Sequence, residues 1–282
     1  MQTLRTIAEV RAAVHATRER GGTVGLVPTM GAFHDGHLSL MRAARAAHDL
    51  VVVSLFVNPT QFGPGEDLAA YPRDEQSDAS LAEGAGTDIL FAPPVDEVYP
   101  DGFATSIHVS GITDVLCGAT RPGHFDGVAT VVTKLFGIVA PDAAYFGQKD
   151  AQQILVVRRV VRDLDLPVQV VACPIVRERD GLAMSSRNAY LDAASRQRAT
   201  ALNRALGAAE AAVAAGHTTA AEVLGAARAE LATSGIDPEY LELRSPDDLA
   251  EVDAVAPAAL LAVAARVGAA RLIDNRLLEA SR

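Results

Sequence analysis

The sequence predicts an α/β fold, a doubly wound parallel sheet followed by a smaller α+β domain. Three observations carry this. Strand-like and helix-like stretches alternate over the first three quarters of the chain. The stretch 50–57 is a continuous apolar run, as expected of a strand buried on both faces of a parallel sheet. Around Pro174 the texture changes, giving way to alanine-rich helices and then short strands. The boundary falls near residue 175, with a Rossmann-like domain over 1–175 and a smaller α+β domain over 176–282.

In order, the first twenty residues, with Arg5, Glu9, Arg11, Arg18, Glu19 and Arg20, read as an amphipathic helix and lack the apolar core of a signal peptide. A strand over 23–27 runs into Pro28-Thr29-Met30-Gly31-Ala32-Phe33-His34-Asp35-Gly36-His37. Leu38, Met41, Ala44 and Ala47 then recur at helical spacing, so a helix starts near Gly36 or His37. After the 50–57 strand come a helix over 74–83 and strands over 88–92 and 105–109. Asp126 reads as the N-cap of a helix reaching about 139, with Val128, Val131, Val132, Leu135 and Ile138 on its apolar face. A strand over 143–146, a helix over 151–164 and a strand over 168–172 complete the alternation. Beyond the boundary, 177–181 reads as a hairpin turn or exposed loop. A long helix over about 192–215 closes at Gly216. Thr219 and Glu222 form a capping-box pattern opening a helix that ends near Gly235. The stretches 240–243, 260–266 and 271–273 read as strands of a small antiparallel sheet.

Composition narrows the function. Hydrophobic residues are 49% and charged residues 21%, ordinary for a globular protein, and no eighteen-residue apolar run suggests a membrane span. A net charge of −10 argues against a nucleic-acid binder, which needs a basic face. An anionic ligand would then need the few cations gathered in one cleft, which draws attention to Arg187 and Lys149; lysine occurs only as Lys134 and Lys149. Cys117 and Cys173 fit no metal spacing, and in a cytoplasmic enzyme read as reduced packing residues.

The stretch from Pro28 to His37 places two histidines at a strand–turn–helix junction. A helix N-terminus offers unpaired N–H groups and partial positive charge, which suits phosphate. Gly31 and Gly36 let the backbone approach a bulky anion, and two imidazoles can hydrogen-bond phosphate oxygens. An isolated H-x-x-H also serves as a metal pair or a solvated surface pair, although the spacing is not that of the zinc-protease helix. Asn58-Pro59-Thr60-Gln61-Phe62 follows the 50–57 strand. Gln61 there can donate to a carboxylate or hydroxyl and accept from an amine, or the segment is a plain turn. Arg121 in Arg121-Pro122-Gly123-His124-Phe125 either pairs with an anionic ligand or partner, or lies in an exposed loop. Gly147-Gln148-Lys149-Asp150 repeats the strand–turn–helix logic with Lys149 as a point charge for phosphate, against a solvated Lys–Asp pair. Met184-Ser185-Ser186-Arg187 offers two hydroxyls and a guanidinium on a loop able to wrap a triphosphate.

These segments together carry a resemblance. H-D-G-H matches the HxGH signature of the nucleotidyltransferases and class I aminoacyl-tRNA synthetases, and 184–187 is similar to their KMSKS loop. The strings at 28–37, 57–62, 121–125, 146–150 and 184–188 resemble the pantothenate synthetase (pantoate–β-alanine ligase) family over nearly the whole chain, more weakly over 192–282. Two positions depart from it: Asp35 where glutamate is frequent, and Thr60 where methionine is common.

The resemblance implies a ligase that forms an amide from pantoate and β-alanine through a pantoyl adenylate, releasing AMP and pyrophosphate. It implies ATP contacts from Met30, Gly31, Ala32, Phe33, His34, Asp35, Gly36, His37, Gly147, Gln148, Lys149, Asp150, Val176, Met184, Ser185, Ser186 and Arg187. His37 is then the catalytic histidine, with His34, Lys149 and Arg187 beside it in the chemistry. Gln61 and Gln153 hold pantoate, and Gln61 lies near β-alanine. Mg²⁺ is expected on the ATP phosphates, the smaller domain is expected to act as a lid, and a cytoplasmic homodimer is implied. Two other readings share the motifs. Another HxGH adenylyl- or cytidylyltransferase would usually be shorter and lack the Asn58–Phe62 string. A non-catalytic nucleotide sensor would be free to lose His34, His37, Lys149 and Arg187, all present here.

Overall fold

The structure, a computed structural model, describes residues 1–280. In chain order the elements begin with β1 (Gln2–Leu4), α1 (Ile7–Glu19), β2 (Val24–Thr29), α2 (Asp35–Ala47) and β3 (Leu50–Leu55). They continue with α3 (Glu75–Gly84), β4 (Ile89–Phe91), α4 (Val95–Val98), α5 (Cys117–Thr120), α6 (His124–Val139) and β5 (Ala143–Gly147). Next come α7 (Ala151–Asp163), β6 (Gln169–Cys173), α8 (Ala193–Ala199), α9 (Ala201–Ala214) and α10 (Ala220–Thr233). The last strands are β7 (Tyr240–Arg244), β8 (Ala258–Val267) and β9 (Ala270–Glu279). The chain divides into two compact units. The first comprises Met1–Thr113, Arg121–Gln148 and Gln153–Pro174; the second comprises Asp114–Thr120, Lys149–Gln152 and the chain from Ile175 onward.

The first unit is built on a six-stranded sheet in the order β1-β4-β3-β2-β5-β6, every pair parallel. Val51, Val52 and Val53 of β3 are fully buried, because helices cover both faces of such a sheet. From β2 the chain winds through β3 to β4 on one side, and from β5 to β6 on the other. The switch point therefore lies between β2 and β5, and ligands of doubly wound sheets bind beyond the strand ends at that place. Met41 and Ala44 of α2 are fully enclosed against the sheet, as the helical spacing requires.

The second unit packs α9 and α10 on the antiparallel sheet β7-β8-β9. Ala201, Ala205, Ala209 and Ala227 are fully buried. Their small side chains let the two helices approach closely, while Leu202, Leu206, Leu231 and Leu261 fill the core. Thr219 caps α10 in the expected box, its hydroxyl accepting the Glu222 N–H.

Several elements differ from expectation. The N-terminal segment opens with β1, a three-residue edge strand too short to show periodicity, and α1 begins only at Ile7, behind Thr6, the N-cap of a Thr6–Glu9 capping box. The predicted strand at 105–109 joins no ladder; the Ile107 N–H donates to Thr130 Oγ1 instead. Helix α6 starts at His124 behind Gly123 (φ 79°), so Asp126 sits inside the first turn and binds His108 Nδ1 at 2.9 Å rather than capping. The long helix predicted over 192–215 is two, α8 and α9, meeting at Thr200. Helix α2 starts at Asp35, slightly earlier than the spacing suggested, because His34 itself is the cap.

Candidate functional site

The turn between β2 and α2 is tightly constrained. Gly31 has φ 93°, and a Cβ there would meet Leu55 Cδ1 at 2.8 Å and Asp78 Oδ2 at 2.9 Å. Only glycine meets both demands. Asp78, almost fully buried on α3, accepts the Ala32 N–H at 2.9 Å and the Phe33 N–H at 2.7 Å. Burial pushes the Asp78 carboxyl above its ordinary range, and those two N–H bonds partly offset the shift. Asp78 thus sets the backbone from which the histidines project. The sequence reading did not single it out; its signal was an acidic residue four positions before the buried Ala82, on the inner face of a helix.

His34 caps α2, its Nδ1 accepting the Gly36 N–H at 3.2 Å, and His37 Nδ1 accepts the His34 N–H at 3.3 Å. The two bonds form a reciprocal capping box built from imidazoles. A backbone N–H can only donate, so both Nδ1 atoms act as acceptors and, in the neutral rings, both protons reside on Nε2. The rings lie 4.1 Å apart between centroids. The sequence thereby produces two neighbouring Nε2–H donors beside the first N–H groups of a thirteen-residue helix, an arrangement that can hydrogen-bond an anion.

The second cluster surrounds the 3₁₀ turn Pro59–Gln61, after β3. Asn58, 1% exposed, donates from Nδ2 to Gln61 Oε1 at 2.9 Å and to the Gly127 carbonyl at 3.1 Å. Its Oδ1 accepts from the Thr60 hydroxyl and from the Tyr99 hydroxyl, each at 2.9 Å. The Gln61 carbonyl accepts from His124 Nδ1 at 2.8 Å and from Arg121 at 3.2 Å. Arg121 grips Glu66 at 2.7 and 2.8 Å and lowers its carboxyl below the ordinary range, chiefly through that hydrogen bond. Arg121 thus braces the loop that carries Gln61. Gly127 permits close packing of α6 on this turn, since a Cβ would lie 2.4 Å from the Thr60 carbonyl.

At the end of β5, Gly147 and Gln148 stand at the switch point, and Gln153 lies in the first turn of α7. In the second unit, Lys149 Nζ is 3.8 Å from the Asp150 carboxylate, a loose pair that leaves the ammonium available, and the Lys149 carbonyl accepts from Asn275 at 2.8 Å. The 177–183 hairpin forms as an antiparallel bridge between Arg177 and Ala183. The Met184 N–H donates to the Val176 carbonyl at 3.0 Å. Ser185 accepts the Arg187 N–H, and Asn188 donates to Glu178 at 2.8 Å and to the Ala183 carbonyl at 3.1 Å. Arg196 bonds Glu178 at 2.7 and 2.8 Å, tying the hairpin to α8. The 184–187 loop is therefore held at both ends. Cys117 and Cys173 are unpaired with each other and buried, and burial pushes the Cys173 thiol up, away from nucleophilic use. Among the described residues, no three His, Cys, Asp or Glu side chains form a metal cage, and no helix is long and apolar enough to cross a membrane.

Paired imidazoles at a helix N-terminus, placed at the switch point of a doubly wound sheet, fit the nucleotide-handling HxGH class of α/β proteins that the sequence resembles. The chain belongs to the pantoate-beta-alanine ligase family, whose model matches residues 2–277. It is 54% identical to the pantothenate synthetase of Moorella thermoacetica over 99% of both chains. It is 56% identical to that of Chelativorans sp. over 96% of this chain and 95% of the relative. The crystal structure of pantothenate synthetase from Thermus thermophilus matches with a TM-score of 0.93 and 51% identity, covering 98% of this chain and 99% of that one. A pantoate-beta-alanine ligase from Francisella tularensis, complexed with beta-gamma ATP and beta-alanine, matches with a TM-score of 0.81 and 32% identity over 98% of this chain and 97% of that one.

Proposed function

We propose that this protein joins pantoate to β-alanine at the expense of ATP. The pantoate carboxylate attacks the α-phosphorus, forming pantoyl adenylate and expelling pyrophosphate. The β-alanine amine then attacks the acyl carbon, loses a proton and expels AMP, leaving the amide. The first step brings two anions together, so its barrier is dominated by charge and alignment. The carrying observation is the imidazole pair at the start of α2, with both Nε2–H groups fixed as donors by backbone N–H bonds to Nδ1. The ATP- and β-alanine-bound relative supports both ligands.

In this reading Met30, Gly31, Ala32, Phe33, His34, Asp35, Gly36 and His37 contact ATP, and His37 stabilises charge on the phosphates with His34 beside it. Gly147 and Gln148 also serve the nucleotide. Gln61 and Gln153 take pantoate. In the second unit, Lys149, Asp150, Val176, Met184, Ser185, Ser186 and Arg187 serve ATP. Mg²⁺ would be held with the ATP phosphates beside His34, His37 and Lys149. When bound, it neutralises phosphate charge. A cytoplasmic homodimer belongs to the same proposal.

The test is exchange of labelled pyrophosphate into ATP without β-alanine. Exchange that depends on pantoate is expected. Exchange that ignores pantoate, or its absence in protein that binds ATP, would reject the assignment.

A further inference from the structure

We infer that Tyr99 and Thr60 are positioning residues that make Gln61 a hydrogen-bond donor toward the acid substrate. The inference rests on the proposed role of Gln61 with pantoate and deepens it.

The chain of bonds leaves little freedom. The Gly127 carbonyl can only accept, which places the Asn58 amide nitrogen on that side. The Thr60 N–H can only donate, and at 3.4 Å it faces Asn58 Oδ1, which places the oxygen on the other. With Asn58 so oriented, its nitrogen meets Gln61 Oε1 at 2.9 Å, so the Gln61 carbonyl oxygen is occupied by a donor and its NH₂ is the end left for a ligand. A ligand oxygen, carboxylate or hydroxyl, satisfies that end; an ammonium does not. The structure thereby separates two roles that the sequence left open for Gln61.

Two hydroxyls hold Asn58 in this state. Tyr99 donates to Asn58 Oδ1 at 2.9 Å, and its own hydroxyl lies 3.4 Å from Thr60 Oγ1. Thr60 adds a second hydroxyl on the same acceptor at 2.9 Å. The Tyr99 ring is fixed independently: it packs edge-on against Phe103 with centroids 5.0 Å apart, near Phe56 at 6.1 Å. The Lys134 ammonium sits 4.5 Å from the Phe103 centroid and 5.8 Å from that of Tyr99. Asn58 is almost wholly buried, so a lost donor there is not replaced by bulk water.

The experiment measures pantoate-dependent pyrophosphate exchange for the wild type, Tyr99→Phe, Thr60→Val, Thr60→Ser and the Tyr99→Phe/Thr60→Val double variant, with thermal midpoints alongside. Removing one hydroxyl should raise KM for pantoate about fivefold, and the double variant should raise it more than either single change, while KM for ATP stays put. Thr60→Ser should restore the wild-type value, because it keeps the hydroxyl. Folded variants with unchanged pantoate KM, or with pantoate and ATP constants rising together, would overturn the inference. If Tyr99→Phe does not fold, the Thr60→Val and Thr60→Ser pair decides: equal pantoate constants refute it, and a rise confined to valine supports it. A wild type that shows no pantoate-dependent exchange would remove the functional reading and this inference with it, an outcome distinct from active wild type with silent variants.

Discussion

The His34 N–H that donates to His37 Nδ1 decides which nitrogen of His37 carries its proton, and so what the ring can do to a phosphate oxygen. The Gly36 N–H does the same for His34. In the proposed reading, His37 supplies a donor where charge develops and Lys149 a point charge for the same purpose. By analogy with single donors that stabilise developing charge in other enzymes, His37→Ala and Lys149→Ala should each lower kcat on the order of 10²–10³. Steady-state turnover with all three substrates checks this; near-normal turnover in folded protein would sink the assignment. Asp78 acts one step back. It touches two backbone N–H groups rather than ligand, so its loss should disturb the geometry of the turn before it disturbs the chemistry.

Among the elements, α2 and α10 carry the same device for different ends. Both open with a reciprocal cap, Thr219 with Glu222 in α10 and His34 with His37 in α2. In α10 the cap serves stability alone, since Val223, Ala227 and Leu231 bury the helix in the core of the second unit. Thr219→Ala should therefore lower stability by about 1 kcal/mol and leave pyrophosphate exchange unchanged. Denaturant titration and the exchange assay on one preparation separate the two effects. In α2 the capping groups are titratable rings at the switch point, so helix stability and proposed ligand contact are joined in the same atoms.

For the whole molecule, acid acts through two sets of groups. His48, at the C-terminal cap of α2, meets the Tyr145 hydroxyl at 2.9 Å, and its Nδ1 is enclosed with no hydrogen-bond partner among the described residues. Desolvation lowers its pKa, with Arg45 and Arg18 acting the same way and Asp142 and Asp49 opposing. The unfolded chain then binds the proton first. Stability falls as pH drops below about 6.5 and goes on falling until the folded ring is also protonated. Glu66 and Glu178 lie below their ordinary value, chiefly through hydrogen bonds from Arg121 and Arg196. What they add is present above about pH 4.5 and is lost as pH falls through their folded values. Melting temperature should thus decline in two stages on acidification, and His48→Gln should flatten only the upper one. An unchanged upper stage in that variant would exclude His48 as its source.

Periodicity and punctuation determined the doubly wound sheet, the small antiparallel sheet and the capped α10, because burial on one face and capping chemistry are written locally in residue order. The Pro28–His37 string likewise announced its junction, since a strand end, glycines and a helix start are neighbours in sequence. Tertiary structure alone decided the rest. The 105–109 stretch has strand composition yet forms no ladder, because pairing needs a neighbouring strand that local pattern cannot supply. Asp126 has the right type for a cap, but Gly123 turns the chain first. Asp78 reaches the Gly31 turn across 46 positions, and Tyr99 reaches Asn58 across 41. Those bonds depend on which elements the fold lays side by side. The donor end of Gln61 follows from them: a glutamine side chain carries both a donor and an acceptor, and only its folded neighbours choose which one faces the ligand.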